Sequence, residues 1–168
     1  MYLSLDDAVA ALERGEVVGV PTDTVYGLVA LPQFKDRLYE VKGRPRSLEL
    51  PILIAHADEA DLEPAAARLA ADFWPGKLTL VVDGTGFRVP DHPIPRELCR
   101  TVGRLASTSA NLHGQPPLTT ASEVGALAGI AGVVAGGVCD GPPSTVVALE
   151  DGKLRLIREG AIPFSQLR

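Results

Sequence analysis

Two rhythms of apolar and polar positions alternate along the chain, one helical and one extended. Ala8, Val9 and Leu12 recur at three- and four-residue spacing, after a Ser4-x-x-Asp7 pair with capping spacing and before Gly15. This predicts an opening helix. The β-branched run Val17-Val18-Gly19-Val20 then predicts a strand that stops at Pro21 and opens into a loop, Pro21-Thr22-Asp23-Thr24-Val25-Tyr26-Gly27. Phe34, Leu38 and Val41 share a face, so a second helix is expected over 33–41, with Gly43 as its stop. Pro51-Ile52-Leu53-Ile54-Ala55 reads as a buried strand. An Ala-rich helix follows Pro64 and runs into Phe73-Trp74-Pro75-Gly76, and Leu78 to Val82 is a strand. Residues 95–101 read as a short helix. A strand from Leu105 leads into a loop formed by Ser107-Thr108-Ser109-Ala110-Asn111. Thr120 and Glu123 have capping-box spacing for a helix through Leu127, and the strands Ser144 to Leu149 and Leu154 to Arg158 flank a hairpin turn at Glu150-Asp151-Gly152. Helices alternating with strands and ending in a hairpin predict an α/β fold with a sheet of mixed strand direction. No internal repeat, low-complexity run or linker interrupts the pattern, so a single domain over 1–168 is expected.

Composition adds bounds. With 46% apolar and 22% charged residues the 168-residue chain is globular and large enough to bury a core. The net charge of −5 argues against extended, charge-driven binding along a nucleic-acid backbone, while leaving a local basic cleft open. Cys99 and Cys139 are too few for a disulfide scaffold and read as small buried hydrophobes. The N-terminus has neither the basic region nor the apolar run of a signal peptide, and no stretch approaches the roughly 20 apolar residues of a membrane span. A cytoplasmic location is expected.

Missing motifs narrow the chemistry. The chain has no Walker-A loop, no G-x-G-x-x-G and no G-x-S-x-G, and His56, His92 and His113 lack metal-ligand spacing. Any phosphate would have to be held largely by side-chain cations. Lys42, Arg44 and Arg46 are the candidates, and alternate spacing in an extended segment would send them toward one side. They equally suit a solvated helix C-terminus. Ser107, Ser109 and Asn111 suit hydrogen bonds to a nucleotide or ordinary turns and caps, and Thr22 and Thr24 carry the same ambiguity. Trp74 and Phe73 fit core and turn better than a base-stacking platform. His92 fits a structural or surface role, Ser144 a strand-end cap, and Arg158 an exposed ion pair.

In order, the segments are Pro21-Thr22-Asp23-Thr24-Val25-Tyr26-Gly27, Lys42-Gly43-Arg44-Pro45, Phe73-Trp74-Pro75-Gly76, Arg88-Val89-Pro90-Asp91-His92-Pro93, Ser107-Thr108-Ser109-Ala110-Asn111, Pro143-Ser144-Thr145-Val146 and Arg158-Glu159-Gly160. Together they closely resemble the YrdC-like family of threonylcarbamoyl-AMP synthases, from about residue 10 to 160. The resemblance implies a twisted, open sheet of mixed direction around a large concave cavity. It also implies the joining of L-threonine, bicarbonate and ATP into L-threonylcarbamoyladenylate with release of pyrophosphate. That product serves N6-threonylcarbamoylation of adenosine 37 in tRNA. By the same resemblance the Lys-x-Arg and Ser-x-Asn signature falls on Lys42, Arg44, Ser109 and Asn111 as catalytic residues. Arg46, Ser107, Gln115 and Arg158 would join Lys42, Ser109 and Asn111 on the ATP side. Thr22, Arg88 and Ser144 would hold threonine, with Mg2+ carried by the nucleotide phosphates rather than by a protein cage. Two departures stand out. The segment Arg46-Ser47-Leu48-Glu49-Leu50-Pro51 lacks a further lysine usual in the family, and the loop Ala135 to Gly141 is short. The resemblance is to the short, single-domain members, which implies separate tRNA-modifying transferase proteins downstream. The alternatives are a divergent carbamoyl-adenylate-forming relative, as in hydrogenase maturation, and an RNA-binding module with weak, salt-dependent affinity.

Overall fold

The computed structural model describes residues 1–167. Its regular elements are α1 (Leu5–Glu13), β1 (Val18–Val20), β2 (Gly27–Ala30), α2 (Asp36–Lys42), β3 (Ile52–Leu53), α3 (Pro64–Phe73), β4 (Leu78–Val82), β5 (Thr85–Arg88), α4 (Pro93–Val102), β6 (Leu105–Ser109), α5 (Ala121–Gly125), β7 (Gly132–Val133), β8 (Thr145–Glu150) and β9 (Lys153–Arg158). The nine strands form one sheet in the order β7-β1-β2-β6-β3-β5-β4-β8-β9. The pairs β1–β7, β3–β5 and β4–β8 are parallel and the rest antiparallel, so the predicted mixed α/β architecture is present.

Local chemistry explains the helix starts. The Ser4 hydroxyl accepts from the Asp7 N–H at 3.1 Å while Asp7 reaches back to Ser4, the reciprocal box expected from the sequence. Thr120 and Glu123 repeat the device at α5, which ends at Gly125 rather than Leu127. The helix expected over 33–41 is split. A 3₁₀ turn at Pro32–Phe34 precedes α2, and α2 ends one residue later, at Lys42. Gly43 follows with φ 63°, a left-handed cap that a side chain would strain.

Three apolar clusters hold the sheet. Ala8, Ala11 and Leu12 of α1 meet Leu98 and Cys99 of α4 over Val18, Val20 and Val29. Leu38 and Tyr39 of α2 and Val124 of α5 cover Val17, Leu28, Ala30 and Ala106. Ala70 of α3 and Trp74 pack on Leu78, Leu80 and Val147. Trp74 also donates its indole N–H to the Leu78 carbonyl at 2.6 Å, so it belongs to the core and turn, as expected. Both cysteines are buried and free, and burial pushes the Cys99 thiol up to about 12.

Candidate active site

Lys42 is the last residue of α2, yet it is only 3% exposed. Its ammonium crosses to the end of β6 and donates to Asn111 Oδ1 at 2.7 Å, the Ser109 carbonyl at 2.9 Å and Ser109 Oγ at 3.2 Å. Ser109 Oγ in turn donates to Asn111 Oδ1 at 2.6 Å. The Asn111 amide nitrogen donates to the carbonyls of Leu112 and Gln115. Asn111 is therefore the hub, its oxygen taking two donors and its nitrogen closing the following turn. Desolvation, and then the charge of Arg44, lowers the Lys42 ammonium to about 8.

The structure brings Lys42, Ser109 and Asn111 together as the signature implied. Arg44 lies beside them, half-buried, donating to the Glu49 carbonyl at 3.1 Å, while its buried Nε has no partner among the described residues. Arg46 does not converge. The left-handed turn at Gly43 breaks the extended alternation that would have aligned the three cations. Arg46 folds back onto the outside of α2, 2.6 Å from Asp36, 3.5 Å from Glu40 and over the Tyr39 ring. Two other residues assigned to the nucleotide side are also occupied differently. Ser107 lies inside β6, and its hydroxyl donates to the Pro51 carbonyl. Gln115 is exposed and contributes its backbone carbonyl to Asn111.

A second polar group is built from β5, the loop before β2 and the start of β8. Arg88, the last residue of β5, donates to the Gly76 carbonyl at 2.9 Å, Thr24 Oγ1 at 3.0 Å and Asp23 Oδ1 at 2.6 Å. Both members of the Arg88–Asp23 pair are about nine-tenths buried. Burial depresses the Arg88 guanidinium and the Asp23 charge counters it. Thr22 closes its own turn, donating to the Val25 carbonyl at 2.5 Å and accepting from the Thr24 N–H at 3.1 Å. Ser144 is buried beside Thr79, with hydroxyls 2.9 Å apart. Arg158 donates to the Ser144 carbonyl at 2.8 and 3.2 Å and to its hydroxyl at 3.3 Å. The exposed ion pair expected for Arg158 is replaced by this half-buried fork. His92 is structural, its Nδ1 accepting from the Ile94 N–H at 3.2 Å to cap α4.

Electrostatics joins the two groups. Burial is the main cause that depresses Lys42, Arg158 and Arg88, and to it the charge of Arg44 adds at Lys42 and Arg158 and that of Arg158 adds at Arg88. Four cations are thus concentrated in a protein of net charge −5. Only Asp23 was overlooked among the charged partners; its signal was a lone acid among threonines in a motif whose distant partners are cationic. Thr79 gave none, being one polar residue in an apolar strand. Two surface hollows of about 210 and 430 Å³ lie around Met1 and Tyr2 and share no residue with these groups.

A mixed α/β sheet with a buried lysine, a Ser-x-Asn turn and neighbouring arginines gathered beside its strand ends concentrates positive charge in forms suited to anionic groups. The model of the Sua5, YciO and YrdC family, described as telomere recombination, matches residues 10–160. The threonylcarbamoyl-AMP synthase of Bacillus subtilis is 39% identical over 95% of this chain and 54% of its own length. That of Chromohalobacter salexigens is 37% identical over 88% of this chain and 93% of its own. The crystal structure of P. abyssi Sua5 complexed with L-threonine superposes with a TM-score of 0.88 at 32% identity, covering 97% of this chain and 56% of that one. The chain spans about half the length of the Bacillus relative and of P. abyssi Sua5. It belongs to the Sua5/YciO/YrdC family.

Proposed function

We propose that this chain synthesises L-threonylcarbamoyladenylate from L-threonine, bicarbonate and ATP, releasing pyrophosphate. The observation that carries the reading is the Lys42–Ser109–Asn111 cluster set beside Arg44 and electrostatically continuous with Arg158 and Arg88. Relatives named threonylcarbamoyl-AMP synthase and a neighbour solved with L-threonine support it.

In this reaction bicarbonate loses hydroxide to give CO2, the neutral amine of threonine attacks its carbon, and the proton the amine sheds joins the hydroxide as water, leaving an N-carboxylate. One carboxylate oxygen then attacks the α-phosphorus in line and the bond to pyrophosphate breaks. Negative charge gathers on phosphate oxygens, so fixed cations are the useful catalysts. Arg44 holds those oxygens, and Lys42, its three donors fixed on Ser109 and Asn111, adds its charge beside them. Arg158 extends the cationic wall, and Arg88 faces the amino-acid carboxylate with Thr22 and Ser144 near it. ATP enters as its Mg2+ complex, and this chain's cations fit the phosphates rather than the metal. Holding three mobile reactants in register supplies much of the acceleration. The product is unstable as a mixed anhydride, which suits consumption in the cytoplasm by separate tRNA-modifying transferases.

The test is mass-spectrometric detection of product together with pyrophosphate release from ATP, Mg2+, bicarbonate and threonine. Product that requires both threonine and bicarbonate is expected. Pyrophosphate release indifferent to threonine would instead assign a divergent carbamoyl-adenylate chemistry.

A further inference from the structure

Thr79 sits mid-strand in β4, between Leu78 and Leu80, which point into an apolar cluster. Alternation sends its side chain to the opposite face. The parallel ladder sets Thr79 opposite Val146, and Ser144, two residues earlier in the chain, has the same parity and shares that face. The two hydroxyls meet at 2.9 Å, both on buried residues, 4% and 6% exposed.

Either hydroxyl can donate, and proton accounting with substrate bound gives the pair a direction. Among the described residues the Thr79 hydroxyl bonds only to Ser144. Were Ser144 the donor, the Thr79 proton would be buried without an acceptor, a penalised arrangement. With Thr79 donating, the Ser144 oxygen receives Thr79 and Arg158, filling both of its lone pairs. The Ser144 proton then has no acceptor among the described residues, a cost that an oxygen of the substrate relieves on binding. Without the Thr79 hydroxyl, Ser144 can rotate and use that proton elsewhere.

We infer that Thr79 is a positioning residue: by donating to Ser144 it fixes the Ser144 hydroxyl as a hydrogen-bond donor to the carboxylate of the amino-acid substrate. The inference rests on the threonine-binding role proposed above for Ser144. Arg158 contributes to the same arrangement by gripping the Ser144 carbonyl, so hydroxyl and backbone are held from two directions. The sequence offers no hint of this, since only the ladder places a threonine of β4 under a serine 65 residues away.

Threonine affinity of the intact chain, measured by calorimetry, decides the matter, with thermal unfolding as a control on each variant. T79V keeps shape and removes the hydroxyl, and is expected to weaken threonine about five- to tenfold, the scale of one neutral hydrogen bond. T79S returns the hydroxyl and restores most of the loss. S144A weakens threonine comparably, and T79V adds nothing further on that background, because the route through Ser144 is already gone. Wild-type affinity in S144A would remove Ser144 from the threonine site and this inference with it. Weakened S144A with wild-type T79V, or additive losses in the double variant, would leave Ser144 in place and overturn the role of Thr79 alone.

Discussion

At the residue scale the central fact is a lysine that left the solvent. A helix C-terminus is where a cation is stabilised in water, yet Lys42 spends its three donors on Ser109 and Asn111. Replacing it by alanine is expected to cut product formation at least about a hundredfold with the fold retained, as for other preorganised charge contacts. Activity and circular dichroism on the same sample check this. Its value near 8 adds a pH dependence. Phosphate binding draws on the ammonium charge, so kcat/KM for ATP is expected to fall as pH rises through about 8. Stability moves the other way. The folded value lies below the ordinary 10.5, so the unfolded chain binds more protons between the two. Stability from this group is therefore present above 10.5 and is lost as pH falls through about 8, which urea midpoints of wild type against K42M would register. Arg88 makes a different demand. Gly76, Thr24 and Asp23 each face a different guanidinium nitrogen, a spread that a lysine's single nitrogen does not match, so R88K is expected to weaken threonine binding and to lower stability by about 3 kcal/mol, the cost of disturbing a buried ion pair. Calorimetry and denaturant unfolding measure the two effects separately.

At the element scale, helices were far more legible than short strands. The Ser4 and Thr120 boxes read directly from spacing, because a cap is a local bond between residues three apart. Ser4→Ala should cost about 1 kcal/mol in chemical denaturation. Gly27 was read as loop and residues 28–30 as no element, yet 27–30 form β2, buried on both faces and so without alternation. Residues 132–133 form β7, too short for any period, and Ser107 to Ser109 proved strand rather than loop. β5 was missed for a lesser reason. Asp83 and Gly84, at φ 49° and 80°, make the same Asp-Gly turn as Asp151 and Gly152, which did reveal its hairpin. Of the strand expected over 51–55 only Ile52 and Leu53 pair. The site was legible through the family resemblance, since residue type alone left Lys42, Ser109 and Asn111 open between ligand contacts and ordinary caps, and only the motifs in order joined them. It was illegible where a turn redirects a side chain, as with Arg46. Gly160 shows how the elements meet, since a Cβ there would press on the Pro143 carbonyl and the Ser144 backbone. Gly160→Ala is expected to displace the Ser144–Arg158 fork, lowering stability by about 1–3 kcal/mol and weakening threonine in the same titration.

At the scale of the whole molecule, an acidic protein gathers its functional cations at one place. That contrast favours small anions and disfavours a long polyanion, whose other phosphates would face an acidic surface. A tRNA-length RNA is accordingly expected to bind weakly and to dissociate by about 200 mM salt in a filter-binding assay, while threonine affinity barely changes. The sheet also fixes which parts of the chain must keep their length. Gly27 faces Ser109 and Val29 faces Ser107 across the β2–β6 ladder, so two motifs some eighty residues apart in the chain are held in step by backbone bonds. Residues 112–119, outside any strand, lie beyond that constraint. Over evolutionary time such a loop can change length only away from Leu112, His113 and Gln115, whose backbones hold the Asn111 amide and the Lys42 carbonyl. A single residue gained within 105–109 would instead turn β6 over, exchanging its serines for Ala106 and Thr108 and stranding Lys42 against the wrong side of the sheet.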